Sequence, residues 1–382
     1  MESILNMPKP IVLIKPNRKE IARYKKKQIP GFSIIIPSFK RPKLLVKCIE
    51  HILRSNSLNS NFKATIYVMD GTPKGKQQTE IINNVKAIAK SSTLPIYLLI
   101  ETGKSSIINA KIQASEFCKK DGNELFLFID SDVYVDRNAI DNMVKTLKEN
   151  SNAAFVSGVS YWNGGKNNGK LCKPEPILET ADKNGKIIAR DNLGRLKKGK
   201  WAYISAIHGV YFAIYKKAYF KIGGYNSLFP NHGENVELSV RCWRNAFPLV
   251  YSDSIKARHE SESAASIMRA KNAKVGREKF ILSTPIKMLY IYKIKELEEI
   301  DQFYEIINKK WIDLLFADSD KHFISFNLLK TFSDMIDETV ENYKELRYFR
   351  KKADNDKFKF MPYSIFGDKG YFKKCLKEAK KK

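Results

Sequence analysis

The chain has 382 residues, 43% of them hydrophobic, and its 68 Lys and Arg outnumber 41 Asp and Glu, for a formal net charge of +27. Such a length buries a sizeable core as one large domain or two, and such a charge attracts something anionic: nucleic acid, an acidic membrane face or phosphorylated substrates. Five scattered cysteines (Cys48, Cys118, Cys172, Cys242 and Cys375) lack any C-x-x-C spacing, which argues against a zinc knuckle or disulfide framework and fits a reducing compartment.

Residues 1–30 mix Pro and Lys with little periodicity and read as an arm leading into the fold. Their one apolar patch, Ile11 to Ile14, is too short for a signal-peptide core. No segment reaches the ~20 apolar residues of a spanning helix, so the expectation is a cytoplasmic protein. Runs such as Lys25-Lys26-Lys27 and Lys380-Lys381-Lys382 read as solvated faces and tails. The first strand is Phe32 to Ile36, stopped by Pro37. Leu44, Leu45, Cys48, Ile49, Ile52 and Leu53 then repeat at helical spacing. A second strand, Ala64 to Met69, ends at the Asp70-Gly71 turn signal, and its helix carries Ile81, Ile82, Val85, Ile88 and Ala89. The third strand is Ile96 to Ile100, followed by a helix with Ile108, Ile112 and Ala114. Leu125 to Ile129 forms a fourth strand, and Ile140, Met143, Val144 and Leu147 its helix.

Four strand–helix repeats with continuously apolar strands predict a sheet covered on both faces, hence parallel pairing and a doubly wound α/β architecture. Residues 160–200 change to Gly, Asn and Lys, with hairpin signals at Asn184-Gly185 and Lys198-Gly199, and read as an irregular mobile segment at the mouth of a site. A strand resumes at Val210 to Tyr215 and another runs over Leu249-Val250-Tyr251. From about Thr284-Pro285 the pattern is helical and basic. The expected division is an arm over 1–30, one α/β domain over 31–284 and a helical extension over 285–382.

Chemistry enters where the apolar run Leu125–Ile129 stops at Asp130-Ser131-Asp132. Carboxylates at the C-terminal edge of a strand in an open α/β sheet sit where ligands bind, and two such hard oxygen ligands suit Mg or Mn held together with phosphate oxygens. A solvated acidic turn is the plain alternative. Asp70, at the end of the second strand, either accepts hydrogen bonds from a nucleobase or ribose or merely shapes its Asp-Gly turn. Gly103-Lys104-Ser105-Ser106 opens a helix after the third strand, where backbone amides meet anions. A P-loop needs a glycine at the position of Leu98, so a Walker-type ATPase is disfavoured while a place near a diphosphate stays open. Glu234 and Glu237 lie three apart on one side of a first helical turn, as possible catalytic acids or as capping groups. His259, after a strand, matters if a metal sits nearby. Gly209, following His208, would let backbone approach a ligand closely.

The order Ser33-Ile34-Ile35-Ile36-Pro37, Val68-Met69-Asp70-Gly71 and Asp130-Ser131-Asp132 resembles the family 2 glycosyltransferases of the GT-A fold, a mixed sheet flanked by helices. The run from Gly209-Val210-Tyr211-Phe212 through Gly223-Gly224-Tyr225 to Gly233-Glu234-Asn235-Val236-Glu237-Leu238-Ser239-Val240-Arg241-Cys242-Trp243 looks like the segment of galactosyl- and polypeptide N-acetylgalactosaminyltransferases. The resemblance covers roughly residues 32–265. It implies that Asp70 holds uracil, that Asp130, Asp132 and His259 bind Mn or Mg, and that Pro37, Ser38, Arg41, Gly103, Lys104, Ser131 and Gly209 join Asp70 and Asp130 around a UDP-sugar. The catalytic group would be drawn from Glu234, Asn235 and Glu237. Many inverting relatives carry Asp as base where Asn235 stands, and a carboxamide takes no proton in that role. Either a neighbouring glutamate is the base, or the configuration is retained. No lectin-like repeat follows.

These readings predict a metal-dependent transferase moving a hexose or N-acetylhexosamine from a UDP-sugar to a glycan, peptide, protein or lipid-linked acceptor. A nucleotidyltransferase and a nucleic-acid-binding protein on an α/β scaffold are the alternatives, the second weakened by the spread of basic residues along the chain. The basic extension is expected either to touch an anionic membrane face, to form a homo-oligomer, or to cap the catalytic domain.

Overall fold

The structure, a computed structural model, describes residues 9–16, 31–55, 63–103, 105–172, 179–181, 187–190, 201–207, 209–229, 233–260, 353, 373 and 375–377. Most of the extension expected over 285–382, and the residues 160–200 not named above, lie outside them.

The strand–helix alternation builds β2 (Phe32–Ser38), α1 (Pro42–Leu53), β3 (Ala64–Asp70), α2 (Lys76–Ser91), β4 (Ile96–Ile100), α3 (Ile107–Phe117), β5 (Leu125–Ile129), and, after a short β6 (Val133–Val135), α4 (Ala139–Glu149). Successive strand residues point to opposite faces, and both faces are buried. Ile34, Ile36, Ile66, Val68, Leu125, Leu127 and Ile129 pack in one apolar cluster with α1, α2 and α4. Ile35, Tyr67, Met69, Phe126 and Phe128 pack in a second with α3. Strands β4, β3, β2 and β5 pair in parallel in that order.

The remaining strands make the sheet mixed. They are β7 (Phe155–Asn163), β8 (Glu179–Ala181), β9 (Ile187–Arg190), β10 (Trp201–Ile204), β11 (Tyr211–Tyr215) and β12 (Leu249–Glu260). β11 runs antiparallel between β5 and β7, although it too is apolar throughout. Helices α5 (Lys216–Lys221) and α6 (Glu234–Arg244) lie in the second cluster and cover its face, so burial on both sides does not require parallel pairing here. β8 and β9 pair antiparallel, and Asn184-Gly185 and Lys198-Gly199 lie outside the described residues. Within the described part of 160–200, regular strand pairing thus replaces the irregular segment expected from composition.

Three boundaries differ from the sequence reading. Pro37 does not stop β2, which continues to Ser38 beside Asp70. Pairing with β5 has already ended at Ile35, so the amide proline lacks is not needed on that side. Ile11–Ile14 of the N-terminal arm forms β1, an edge strand antiparallel to β4. β12 extends nine residues beyond Tyr251, so His259 lies within a strand, not after one. The register of β12 against β7 breaks between Ser252 and Lys256, where Ile255 arches over Gly158. A Cβ at Gly158 would stand 2.1 Å from the Ile255 carbonyl oxygen, so only glycine admits that bulge. Beyond it, β12 also pairs with β6.

Ala353, Cys375 and Leu376 join the second cluster, and Arg244 donates to the Ala353 carbonyl at 3.1 Å. These C-terminal residues pack on the α/β core. All five cysteines are buried, and none forms a disulfide.

Candidate active site

The C-terminal ends of β2, β3 and β5 converge on one edge of the sheet. Ser38 and Asp70 are register partners there, and the Gly71 amide donates to the Ser38 carbonyl at 2.9 Å. Asp70 Oδ1 accepts from the Thr72 amide at 3.2 Å and hydroxyl at 2.6 Å, so this carboxylate does shape its turn. Its Oδ2 and the Ser38 Oγ are buried with no hydrogen-bond partner among the described residues. Burial pushes the Asp70 carboxyl above its ordinary range, against the opposing hydrogen bonds from Thr72. The loop between β2 and α1 crosses the same edge, with Lys40 in the left-handed region at φ 55° and its amide held by Thr72 Oγ1 at 2.8 Å. Next to it, Arg41 reaches Asp132 at 2.5 Å.

The Asp130-Ser131-Asp132 loop is pinned by backbone at both ends: the Asp130 amide donates to Val210 and the Glu260 amide to the Asp132 carbonyl. Its two carboxylates have different company. Asp132, 4% exposed, faces Arg41 and the His259 Nε2 at 3.5 Å. Burial alone would raise its carboxyl, but the hydrogen bond and charge of His259, with Arg41 adding to them, hold it below the usual range. The imidazole responds in kind. Burial disfavours its proton, yet Asp132 outweighs that and lifts His259 to about 9. The ring stacks on Trp162, centroids 5.0 Å apart. Asp130 instead turns an oxygen toward Lys111, 3.2 Å away and 1% exposed. That lysine also lies over the ring of Tyr225.

Among the described residues, no three His, Cys, Asp or Glu side chains converge as a metal cluster. Of the set expected from sequence, Asp132 and His259 stand together, and Asp130 is drawn off by Lys111. The physical reason is charge: buried carboxylates recruit the nearest cations. The donor types still suit a divalent cation, since carboxylates are the usual ligands of Mn or Mg, His259 adds an imidazole beside Asp132, and Asp130 Oδ1 meets only the Lys111 ammonium among the described residues.

Glu234, Asn235 and Glu237 open α6, behind Gly233 at φ 76°. Their roles separate. Glu237 is fully buried, and both its oxygens meet Arg241, at 2.7 Å and 2.6 Å. Arg241 in turn bonds the carbonyls of Ile222 and Gly224. This pair ties α6 to the Gly223-Gly224 turn, which makes Glu237 a structural residue and removes it from the candidate bases. Asn235 accepts from the Tyr225 hydroxyl at 3.0 Å and donates to Glu234 Oε1 at 2.6 Å. Gly209 does give close approach, but to Asn235: a Cβ there would lie 1.8 Å from its Nδ2. Sequence reasoning had assigned that space to a ligand.

The start of α3 is also occupied. Glu101 accepts from the Ser106 amide at 3.0 Å and from the Ser105 hydroxyl at 2.8 Å, while Ser106 caps the helix through Asn109. A carboxylate of the chain itself sits where an anion was expected beside Gly103, whose φ is 80°. Lys104 and His208 lie outside the described residues. Lys111, Glu101 and Tyr225 were missed from sequence. Only the helical position of Lys111, a charge on an otherwise buried face of α3, marked it out.

The sequence profile described as "Glycosyltransferase like family 2" matches residues 30–276. Among solved structures, the crystal structure of GalNAc-T7 with UDP, GalNAc and Mn2+ is similar at a TM-score of 0.50 and 15% identity, over 77% of this chain. The match spans 59% of that neighbour's length. No curated protein matches in sequence. The mixed sheet with helices on both faces is the GT-A fold.

Proposed function

This chain belongs to the family 2 glycosyltransferases, and on that premise we propose that it transfers a hexose or N-acetylhexosamine from a UDP-sugar with the help of Mn or Mg. The observation that carries the donor reading is the pair of buried oxygens at adjacent strand ends, Asp70 Oδ2 and Ser38 Oγ, that no described residue meets at hydrogen-bonding geometry. A buried acceptor left without a donor is costly in the empty protein, and a uracil N–H or ribose hydroxyl removes that cost. The neighbour's bound UDP and Mn2+ support the same reading without extending to the sugar or acceptor.

Asp132 and His259, with Asp130 beside them, would hold the cation, which supplies charge neutralisation to the departing diphosphate. The chain's own residues do the rest. Lys111 offsets the charge of Asp130, so a dianionic ligand meets a less negative edge. Arg41, bound to Asp132 in the free protein, supplies a positive charge at the same edge for a diphosphate. Glu234 is the base in this proposal if the anomeric configuration inverts. It stands at the tip of α6, and Asn235 fixes its Oε1.

A donor screen with UDP-glucose, UDP-galactose and UDP-N-acetyl sugars, read by NMR of the product anomer, tests the assignment. Sugar transfer with release of UDP supports it. Transfer of the nucleotidyl group instead would establish a nucleotidyltransferase. Full activity without any divalent cation would sink the metal part. The acceptor, whether glycan, peptide, protein or lipid-linked, and any contact of the C-terminal extension with an anionic membrane belong to later experiments. For the membrane contact, equal liposome sedimentation with and without residues 285–382 would exclude the tail.

A further inference from the structure

On the face of the β6–β12 ribbon that carries Arg258 and Tyr134, opposite His259, lies a cavity of about 970 Å³ that contains none of the residues discussed as donor ligands. Its wall joins the C-terminal half of α1, the N-terminus of α4 and the bulge of β12. We propose that this cavity is a second binding site, for an acidic saccharide: a hydroxyl-rich ring bearing a carboxylate or phosphate.

Charge is the first argument. Lys47, Arg54, Arg137, Lys256 and Arg258 line the cavity against three carboxylates, Glu50, Asp136 and Asp253. Arg54 is engaged with Glu50 at 3.5 Å. Lys47, Arg137, Lys256 and Arg258 have no ion pair or side-chain hydrogen bond among the described residues, so four cations share one concavity with two remaining carboxylates, Asp136 and Asp253, and the balance there is positive. Mutual repulsion disfavours such convergence unless an anion enters. The second argument is a tyrosine hydroxyl. Tyr134, 4% exposed and stacked on His51 with ring centroids 5.2 Å apart, belongs to this wall, and among the described residues its hydroxyl finds no partner at hydrogen-bonding geometry, with the Glu260 carboxylate as its charged neighbour. The third is the start of α4, an eleven-residue helix whose first residues enter the wall and whose N-cap, Asn138, provides no side-chain cap. Its amide end adds positive potential on the same side.

Size and composition choose the ligand. The volume suits a ligand of one to a few sugar rings, at the upper end of the roughly 300–1,000 Å³ typical of small-molecule sites. Neutral polar residues also line the wall: Asn142 donates through Nδ2 to the Ser254 carbonyl at 2.6 Å, which fixes its amide and leaves Oδ1 as an acceptor for a sugar hydroxyl. A lipid surface would call for apolar side chains that insert. The exposed large apolar residues Ile11, Val12, Leu13, Phe39 and Phe117 all lie elsewhere.

The test titrates glucuronic acid, glucose and inorganic phosphate separately into the full-length protein, by calorimetry and saturation-transfer NMR, with and without saturating UDP and Mn. Glucuronate should bind whether or not UDP is present, and at least about tenfold more tightly than glucose or phosphate. The double variant Arg137→Gln/Arg258→Gln should weaken glucuronate by about tenfold or more and leave UDP binding unchanged. Tyr134→Phe keeps the ring and removes only the hydroxyl. It should lower glucuronate affinity by about threefold or more without lowering the melting temperature, a readout that a folding defect would not mimic. Displacement of glucuronate by UDP would return it to the donor edge and overturn the proposal. So would equal affinity for glucose, or phosphate matching glucuronate, which would leave an anion site with no saccharide recognition. Binding confined to phosphatidylglycerol vesicles, or no binding at all, would overturn it as well.

Discussion

The sheet buries carboxylates at both of its ends, and they are treated in opposite ways. At the N-terminal end of β2 and β3, Asp121 is saturated. Its Oδ2 accepts from the hydroxyls of Ser33 at 2.5 Å and Tyr67 at 2.8 Å and from Asn123 Nδ2 at 3.0 Å, and its Oδ1 meets Lys216 at 2.5 Å and the Asn123 amide at 2.9 Å. Lys216 and those hydrogen bonds outweigh burial and keep this carboxyl below its usual range. At the C-terminal end, the Asp70 carboxyl is pushed up by burial. The same residue type therefore fastens the fold at one edge and, at the other, keeps an oxygen that no described residue meets at hydrogen-bonding geometry. What distinguishes them is the count of donors each one finds inside the chain.

Substitutions should expose that difference. The largest effect is expected from Asp132→Ala: UDP-sugar turnover should fall by about a thousandfold or more in a product assay, with circular dichroism unchanged. Turnover near that of the parent would refute the donor edge. Asp121→Ala should do the reverse. Removing one partner of this half-buried, multiply bonded pair should cost about 1–3 kcal/mol, read as a loss of stability in urea denaturation. If the variant unfolds at the same urea concentration as the parent, the saturated end is not the fastening it looks to be.

Asp70→Asn should separate the two ends most cleanly. The amide oxygen can keep the Thr72 bonds, so stability should hold within about 1 kcal/mol, whereas UDP affinity should drop about tenfold or more in calorimetry. An unchanged affinity would detach Asp70 from the nucleoside. The smallest effect is a pH dependence. His259 is raised from 6.5 to about 9 in the folded chain. A group with a raised folded value stabilises fully below its unfolded value and loses that contribution as pH climbs through the folded one. The His259–Asp132 pair should therefore contribute below pH 6.5 and fade as pH rises through about 9. The effect is on the order of 1–3 kcal/mol, and His259→Asn should abolish the difference between denaturation at the two ends of that window. An imidazole titrating near its ordinary value by NMR would remove the pair.

Much of the frame was readable from the chain alone. Short apolar runs such as Ile96–Ile100 and Leu125–Ile129 declare strands, helical spacing declares α1 to α4, and the residue at which an apolar run stops marks the sheet's edge. Asp70, Asp130 and Asp132 were found in that way. The irregular reading of 160–200 went astray at Glu179–Ala181 and Ile187–Arg190, which pair by register with each other and with β10, a pairing that local composition does not record. The parallel pairing expected of the four strand–helix repeats holds for β2 to β5, while the antiparallel direction of β11 is not legible from its apolarity, which reports burial of both faces and not strand direction.

The sequence by itself determined which residue types stand at the ends of the strands, since burial dictates an apolar run and a charged residue ends it. Only the tertiary structure decided which of those acids were already answered. Arg41 reaches Asp132 across 91 positions, Lys111 turns Asp130 aside, and Arg241 takes Glu237 out of the chemistry while Glu234 stays at the helix tip. A hydrogen bond depends on angstroms and direction, and neither is written in the order of residues along the chain.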